Sequence, residues 1–355
     1  VLAYEADGAG TPVRWLGGGE KTFARLTARA DLLINFDYRS SSHVVGHFAR
    51  SALVDLDPGL LQQWISFGQL APAPHDHWFT IGETVGTARA GFPDAGIDWH
   101  RIGRVVHLPS WPVCPPVPDA TYTTVTSWWG DEWITDGAGL LYENNKRVTF
   151  LEYADLPLRS GAKLELAAYF GDSRTGSPRR DVEVKPEEAA GDAEDVRRMR
   201  RGGWRLRRSA EVAADPWAYR RYIQASRGEF SCAKPSCLVL QNAWVSDRTL
   251  CYLASGRPAV VQHTGPSDFL PDAEGLFRFS CRDEAVEALR TVERDYRRQR
   301  TAARELAESL FDSGPILSRL LDNALSNPAG GRGRGRSGAP PATRATERAG
   351  QGRAR

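Results

Sequence analysis

The sequence contains no run of about 18 or more apolar residues, so a membrane-spanning helix is not expected. Cysteine is sparse. The five present (Cys114, Cys232, Cys237, Cys251 and Cys281) are odd in number and scattered. Cys232 and Cys237 have no second pair to complete a metal knuckle, so neither a disulfide framework nor a metal site is expected. Reduced thiols and a cytoplasmic location are the default reading. No leader pattern is visible ahead of the first strand, and the first residue is Val1 rather than methionine. An excess of one charge is missing too, the net value being +2. After Ala329, seven arginines face the single Glu347, which leaves the rest of the chain slightly acidic. A body of that charge does not suggest a nucleic-acid-coating protein. The arginine runs 197–201 and 205–208 lie close to the acidic residues 187–195 and read as a solvated face.

What is present is a chain of 355 residues, 41% hydrophobic and 25% charged, long enough for two ordinary domains. Short apolar runs alternate with helix-compatible segments, the pattern of parallel α/β sheets. In residues 1–118 the expected strands are Val1–Glu5, Asp31–Phe36, Ser51–Leu56 and His77–Ile81, with a helix over Lys21–Ala30. Ligands in open α/β sheets sit beyond the carboxyl ends of strands, which nominates Asp37, Asp57 and Glu83 as cleft-facing. His43 and His47 follow the second of these strands and are candidate proton-transfer groups. Each of these residues also fits a plain turn or solvated role, Asp57 above all, because Pro58-Gly59 follows it. Asp37, His43 and Glu83 form the candidate catalytic set.

Pro109–Pro118 contains five prolines and resists both helix and central strand, so it is expected to be the interdomain hinge. A second α/β run follows over 119–326. It has strands at Tyr122–Thr126, Lys163–Phe170 and Trp204–Leu206, and helices at Lys146–Tyr153, Asp192–Arg201 and Pro216–Ser226. Ser127–Asn145 and Gly171–Gly191 are expected to be loops. Asp283–Asn323 reads as helical with a break at Ser313-Gly314-Pro315. Residues 327–355 are rich in Gly, Arg, Pro and Ala and too poor in apolar side chains to fold, so a disordered basic tail is expected.

The most informative stretch is Glu229–Gly265. It reads as a strand (Phe230–Cys232), a polar loop, a helix from Ser246 to Ser255 and a buried strand (Ala259–Gln262). Ser246 is a good N-cap, Leu250, Leu253 and Ala254 supply an apolar face, and Gly256 with Arg257-Pro258 ends the helix. A loop, a helix start and a return strand make an anion-binding corner. Lys234 and Arg248 add positive charge to it, and Trp244 offers a flat face on which a base or sugar could stack. A purely structural corner of an α/β protein is the alternative reading.

The string EFSCAK, followed by Trp244, by Ser246-Asp247-Arg248, by Tyr252–Pro258 and by Val260–Gly265, resembles the donor half of GT-B glycosyltransferases, in a group-1-like bacterial branch. The resemblance implies two Rossmann-like domains, with a carboxyl-terminal helix returning toward the amino-terminal one. It implies that the first strand and glycine-rich loop of the amino-terminal domain precede Val1. It also implies a nucleotide-diphosphate sugar as donor substrate, no covalently bound cofactor, no metal, an unknown acceptor and no specific nucleic-acid partner. Donor binding would fall to Lys146, Lys234 and Trp244, to Ser246, Asp247 and Arg248, and to Thr264 and Gly265. Lys146 or Arg147 would meet the diphosphate, although Lys146 could equally be an exposed helix start.

Three features depart from the pattern. Ala243 and Cys251 stand where retaining group-1 enzymes carry a Glu-x7-Glu pair. Pro235-Ser236-Cys237 replaces a glycine-containing loop, and His263 stands where relatives carry Asp. A non-catalytic GT-B-like protein that binds a nucleotide or sugar therefore remains an alternative, as does an unrelated α/β interaction protein with a nucleic-acid-binding tail.

Overall fold

The computed structural model describes residues 2–4, 14–16, 19–128, 133–135, 141–168, 186–272 and 274–326. The expected basic tail lies outside them. Two separate parallel sheets organise the chain. The first has strands β1 (Leu33–Asn35), β2 (Ser51–Asp55), β3 (His77–Thr80) and β4 (Trp99–Arg101), paired in that order. Every residue of β2 is buried, as a strand covered on both faces must be.

The second sheet contains β5 (Tyr122–Thr126), β6 (Leu164–Ala168), β7 (Arg205–Arg208), β8 (Glu229–Ser231), β9 (Ala259–Gln262) and β10 (Leu276–Phe279). Their spatial order is β7-β6-β5-β8-β9-β10, all parallel. This is the doubly wound order, with its direction of winding reversed between β5 and β8. Its core joins Phe150, Trp204, Phe230 and Phe279, with the last two rings stacked 5.2 Å apart.

The chain crosses between domains twice, at neighbouring points. Val106 N–H donates to Phe311 O at 2.8 Å, and Ser313 N–H donates to Val106 O at 3.2 Å. The helix Ser313–Ser326 then returns to the first domain, packing Ile316, Leu320 and Ala324 on Ala52, Val54 and Phe79. The proline-rich segment between the domains is strapped to the second one. Arg220 donates to Ser110 O, Arg304 to Trp111 O, Gln224 to Pro112 O, Arg300 to Cys114 O and Arg257 to Pro115 O. Prolines leave carbonyls without ladder partners, and these long side chains satisfy them.

Several local expectations are corrected. Leu2–Tyr4 is a strand, but it pairs antiparallel with Arg14–Leu16 instead of joining the parallel sheet. β4 was not foreseen. The loop expected over 127–145 contains an antiparallel pair, Trp133–Thr135 with Leu141–Glu143. The charged helix spans Pro186–Arg201 and so begins inside the expected Gly171–Gly191 loop, whose residues 171–185 lie outside the described ones. The polar loop after β8 contains a helix, Pro235–Leu240. The carboxyl-terminal helical run breaks at Asp295 as well as before Ser313, because Asp295 leaves the helical region (φ −143°) and its carboxylate caps the next helix at Arg298 N–H.

Candidate functional site

The reversal point between β5 and β8 is where an open α/β sheet forms a crevice beyond its strand ends. β5 runs into Ser127-Trp128, and β8 runs into Cys232-Ala233-Lys234. The second of these turns is fixed on both sides: Ala233 N–H donates to Gln262 Oε1 at 3.0 Å, and Thr149 Oγ1 donates to Ala233 O at 2.7 Å. Lys234 then caps the Pro235–Leu240 helix by its backbone, with proline at the first helical position. Asn144 Oδ1 accepts from Ser236 N–H at 2.8 Å, tying the loop before Lys146 to that helix.

Lys146 opens the helix Lys146–Glu152. It is not an exposed helix start, because only 8% of it is accessible. Its Nζ lies 5.5 Å from the centre of the Trp244 ring, and among the described residues it has no hydrogen-bond or salt-bridge partner. Burial pulls its pKa down to about 7, and repulsion from Arg248 adds to the effect against attraction from Glu229. Trp244 is half-buried and presents its ring beside this ammonium group.

The backbone behind Trp244 is tightly drawn. Thr264 Oγ1 donates to Trp244 O at 2.7 Å, and Ala243 N–H donates to Thr264 O at 2.9 Å. Gly265 has φ +124°, and a Cβ there would stand 2.5 Å from Gln241 O. Gln241 and Ala243 themselves have φ +49° and +53°, which places two side-chain-bearing residues of one turn in the left-handed region. Ser246 caps the Asp247–Ala254 helix as expected, its Oγ accepting from Arg248 N–H at 3.3 Å, while Asp247 is exposed beside it.

Arg248, expected at the diphosphate, is 8% accessible and has its guanidinium engaged by other residues of the chain. Its Nε donates to Glu229 at 2.7 Å, one Nη to Val125 O at 2.7 Å and the other to Ser231 Oγ at 2.6 Å. These contacts stitch β5 to β8 from the Asp247–Ala254 helix. The cation at the crevice is Lys146, and Lys234 stands half-buried at the next turn.

The candidate catalytic residues Asp37, His43 and Glu83 each make separate local contacts. Asp37 is exposed and closes its own turn, accepting from Arg39 N–H and Ser40 Oγ at 3.1 Å each. His43 is exposed on a four-residue helix and meets His47 edge-on at 4.9 Å. Glu83 does face the other domain. Its carboxylate accepts from Ser267 Oγ at 2.5 Å and Asp268 N–H at 2.7 Å, with Arg89 at 3.5 Å. Arg89 in turn forks onto Asp268 at 2.8 and 2.7 Å. Asp57 accepts from Tyr38 Oη at 3.0 Å, in keeping with a turn role.

Sequence reading missed the residues that join the domains at the crevice. Leu240 enters the first domain's core beside Leu53, Leu61 and Phe92. Asn242 Nδ2 donates to Pro58 O, and Arg104 Nη2 to Ala243 O, both at 2.8 Å. Lys234-Pro235 was the available signal for the helix that carries Leu240 there.

No family model matches the chain, and no match is found among curated proteins. Solved structures do match. HepE (Alr3699) of Anabaena, solved in complex with UDP-glucose, aligns over 86% of this chain and 82% of its own, with 11% identity and a TM-score of 0.54. The fold is GT-B. A glycosyltransferase of Rickettsia africae aligns over 86% and 80% of the two chains at 9% identity, with a TM-score of 0.50. The sucrose-phosphate synthase of Thermosynechococcus elongatus aligns over 86% and 77% at 12% identity, with a TM-score of 0.50. Among the described residues of this GT-B chain, no helix is long and apolar enough to cross a membrane.

Proposed function

We propose that the chain is a glycosyltransferase that takes a sugar from a nucleotide-diphosphate donor seated at the β5/β8 crevice. The observation that carries this reading is Lys146, a buried amine that makes no hydrogen bond or salt bridge to a carboxylate among the described residues, beside a half-exposed tryptophan at the reversal point of a GT-B sheet. In this reading Trp244 stacks on the base or sugar, and Lys146 with Lys234 neutralises the diphosphate, where negative charge grows as the glycosidic bond breaks. Thr264 and Gly265 shape the sugar end, where a glycine lets the backbone approach closely. HepE was solved with UDP-glucose, which makes a uridine nucleotide the first to try. The acceptor enters from the first-domain side, and Asp37, His43 and Glu83 remain the proposed proton-handling groups there. Glu83 would have to leave Ser267 and Asp268 to serve.

The test is calorimetric titration of UDP and a panel of other nucleoside diphosphates into the full chain and into Lys146→Met. Micromolar binding that weakens about tenfold to a hundredfold in the variant supports the seat. Equal affinity in both would overturn it. A second reading, a binding protein without transfer activity, is favoured by Ala243 and Cys251 at the glutamate-pair positions and by the engagement of Glu83. Donor consumption assayed beside binding separates the two.

A further inference from the structure

Next to the return crossing at Phe311, a cavity of about 510 Å3 opens between the domains. None of its lining residues belongs to the proposed donor seat, although Glu83, named above among the proposed proton-handling groups, borders it. Arg101 and Arg104 reach it from the end of β4, Arg319 from the carboxyl-terminal helix, and Phe269 with Leu270 from the loop after β9. Arg104 is 94% buried: it is only 6% accessible. One of its Nη atoms donates to Ala243 O, and its buried Nε has no hydrogen-bond partner among the described residues. Arg101 donates one bond, to Val85 O at 3.1 Å. Among the described residues no carboxylate lies within salt-bridge distance of any of these three guanidinium groups. Glu83 also borders the cavity, but its oxygens are taken by Ser267, Asp268 N–H and Arg89.

A buried guanidinium with no carboxylate in salt-bridge contact is costly, and the two exposed arginines at the same cavity add like charge. Burial already draws the pKa of Arg104 down to about 10, against attraction from Glu83. The rest of the lining is largely apolar and includes Phe269, which is 65% exposed. Such a cavity suits a ligand with an anionic head and an apolar body.

We propose that this interdomain cavity binds a small organic anion, a phosphate monoester or an ionised carboxylic acid, with its anionic group among Arg101, Arg104 and Arg319 and its apolar part on Phe269 and Leu270. Because its walls come from both domains and from the helix that joins them, an occupied cavity ties the domains together, and the ligand stabilises the folded, docked chain by mass action.

Phenyl phosphate, benzoate and inorganic phosphate, titrated separately into the full chain by calorimetry and thermal shift, test this. The expected result is saturable binding of phenyl phosphate or benzoate with a raised Tm, tighter than for inorganic phosphate. Whichever of the two binds better assigns the head group. Arg101→Ala/Arg319→Ala should weaken that binding about tenfold or more. Both positions are exposed, and the single Arg319→Glu change gives a second variant with the same expected loss. Lys146→Met should leave it unchanged. The proposal is overturned if neither organic anion binds saturably, or if binding survives both arginine variants and disappears in Lys146→Met, which would place the anion at the donor crevice.

Discussion

Arg248 and Glu229 form an ion pair at 2.7 Å inside the second sheet, with their side chains 9% and 0% exposed. Burial alone would disfavour the charge on Arg248, but Glu229 outweighs it and holds the guanidinium protonated. The other Glu229 oxygen has no hydrogen-bond partner among the described residues, so the pair rests on this contact. Arg248→Ala is therefore expected to destabilise the chain by about 3–5 kcal/mol, the effect of leaving a buried charge uncompensated. Nucleotide affinity of the folded fraction should stay within a factor of about two. Urea denaturation and calorimetry on the same variant check both. A stable variant with lost nucleotide binding would return Arg248 to the donor site.

Lys146 carries a prediction in pH. In the folded chain its pKa is about 7, whereas an unfolded lysine titrates near 10.4. Between these values the unfolded chain binds more protons, so the stability contribution of this site rises with pH across that window. At pH 6 the folded chain holds a buried charge at full penalty. Lys146→Met should therefore raise stability there by about 1 kcal/mol or more, and the gain should shrink between pH 7 and 10. Melting curves of both proteins across that range would show it. A difference constant with pH would mean that Lys146 is not desolvated.

The same group predicts proton uptake on binding. At pH 8 Lys146 is largely neutral, and a diphosphate beside it favours the charged form. Nucleotide titrations in buffers of different ionisation enthalpy should give a net uptake approaching one proton at pH 8 and close to none at pH 6. Lys146→Met should abolish the pH 8 value.

Leu240 links the domains through packing rather than charge. It belongs to the second domain by sequence and is 3% accessible within the first domain's core. Leu240→Ala should cost about 2–5 kcal/mol. Because the loss falls on the contact between domains, scanning calorimetry should also show broadening or splitting of the unfolding transition. A sharp single transition at a lowered Tm would indicate that the other interdomain contacts suffice.

Gly265→Ala places a Cβ 2.5 Å from Gln241 O in a backbone at φ +124°. The turn has to shift, carrying Thr264 and its bond to Trp244 O with it. The expected outcome is a nucleotide affinity lowered more than in Thr264→Ser, which keeps that hydroxyl. Equal affinity in both variants would separate this turn from the donor crevice.

Much of the architecture was legible in the chain because it rests on local rules. Buried strands such as Ala259–Gln262 announce themselves as short apolar runs, and Ser246 and Gly256 mark their helix by capping chemistry that needs no distant partner. The GT-B resemblance is carried by those same positions. Long-range partners decided the rest. Arg248 and Lys146 are both cations near a strand end, and nothing in their neighbours along the chain tells which one meets Glu229 and which is left facing the crevice. That assignment depends on β5 and β8 lying side by side, although they are about a hundred residues apart in the chain. Likewise, Pro109–Pro118 reads as a hinge from its own composition, yet arginines from Arg220 to Arg304 clamp it to one domain. Hydrophobic periodicity and caps act over a few residues, and so the sequence by itself determined the elements and their class. Charge pairing and domain docking act between segments that only the folded chain brings together, and so the tertiary structure alone decided the chemistry of the site.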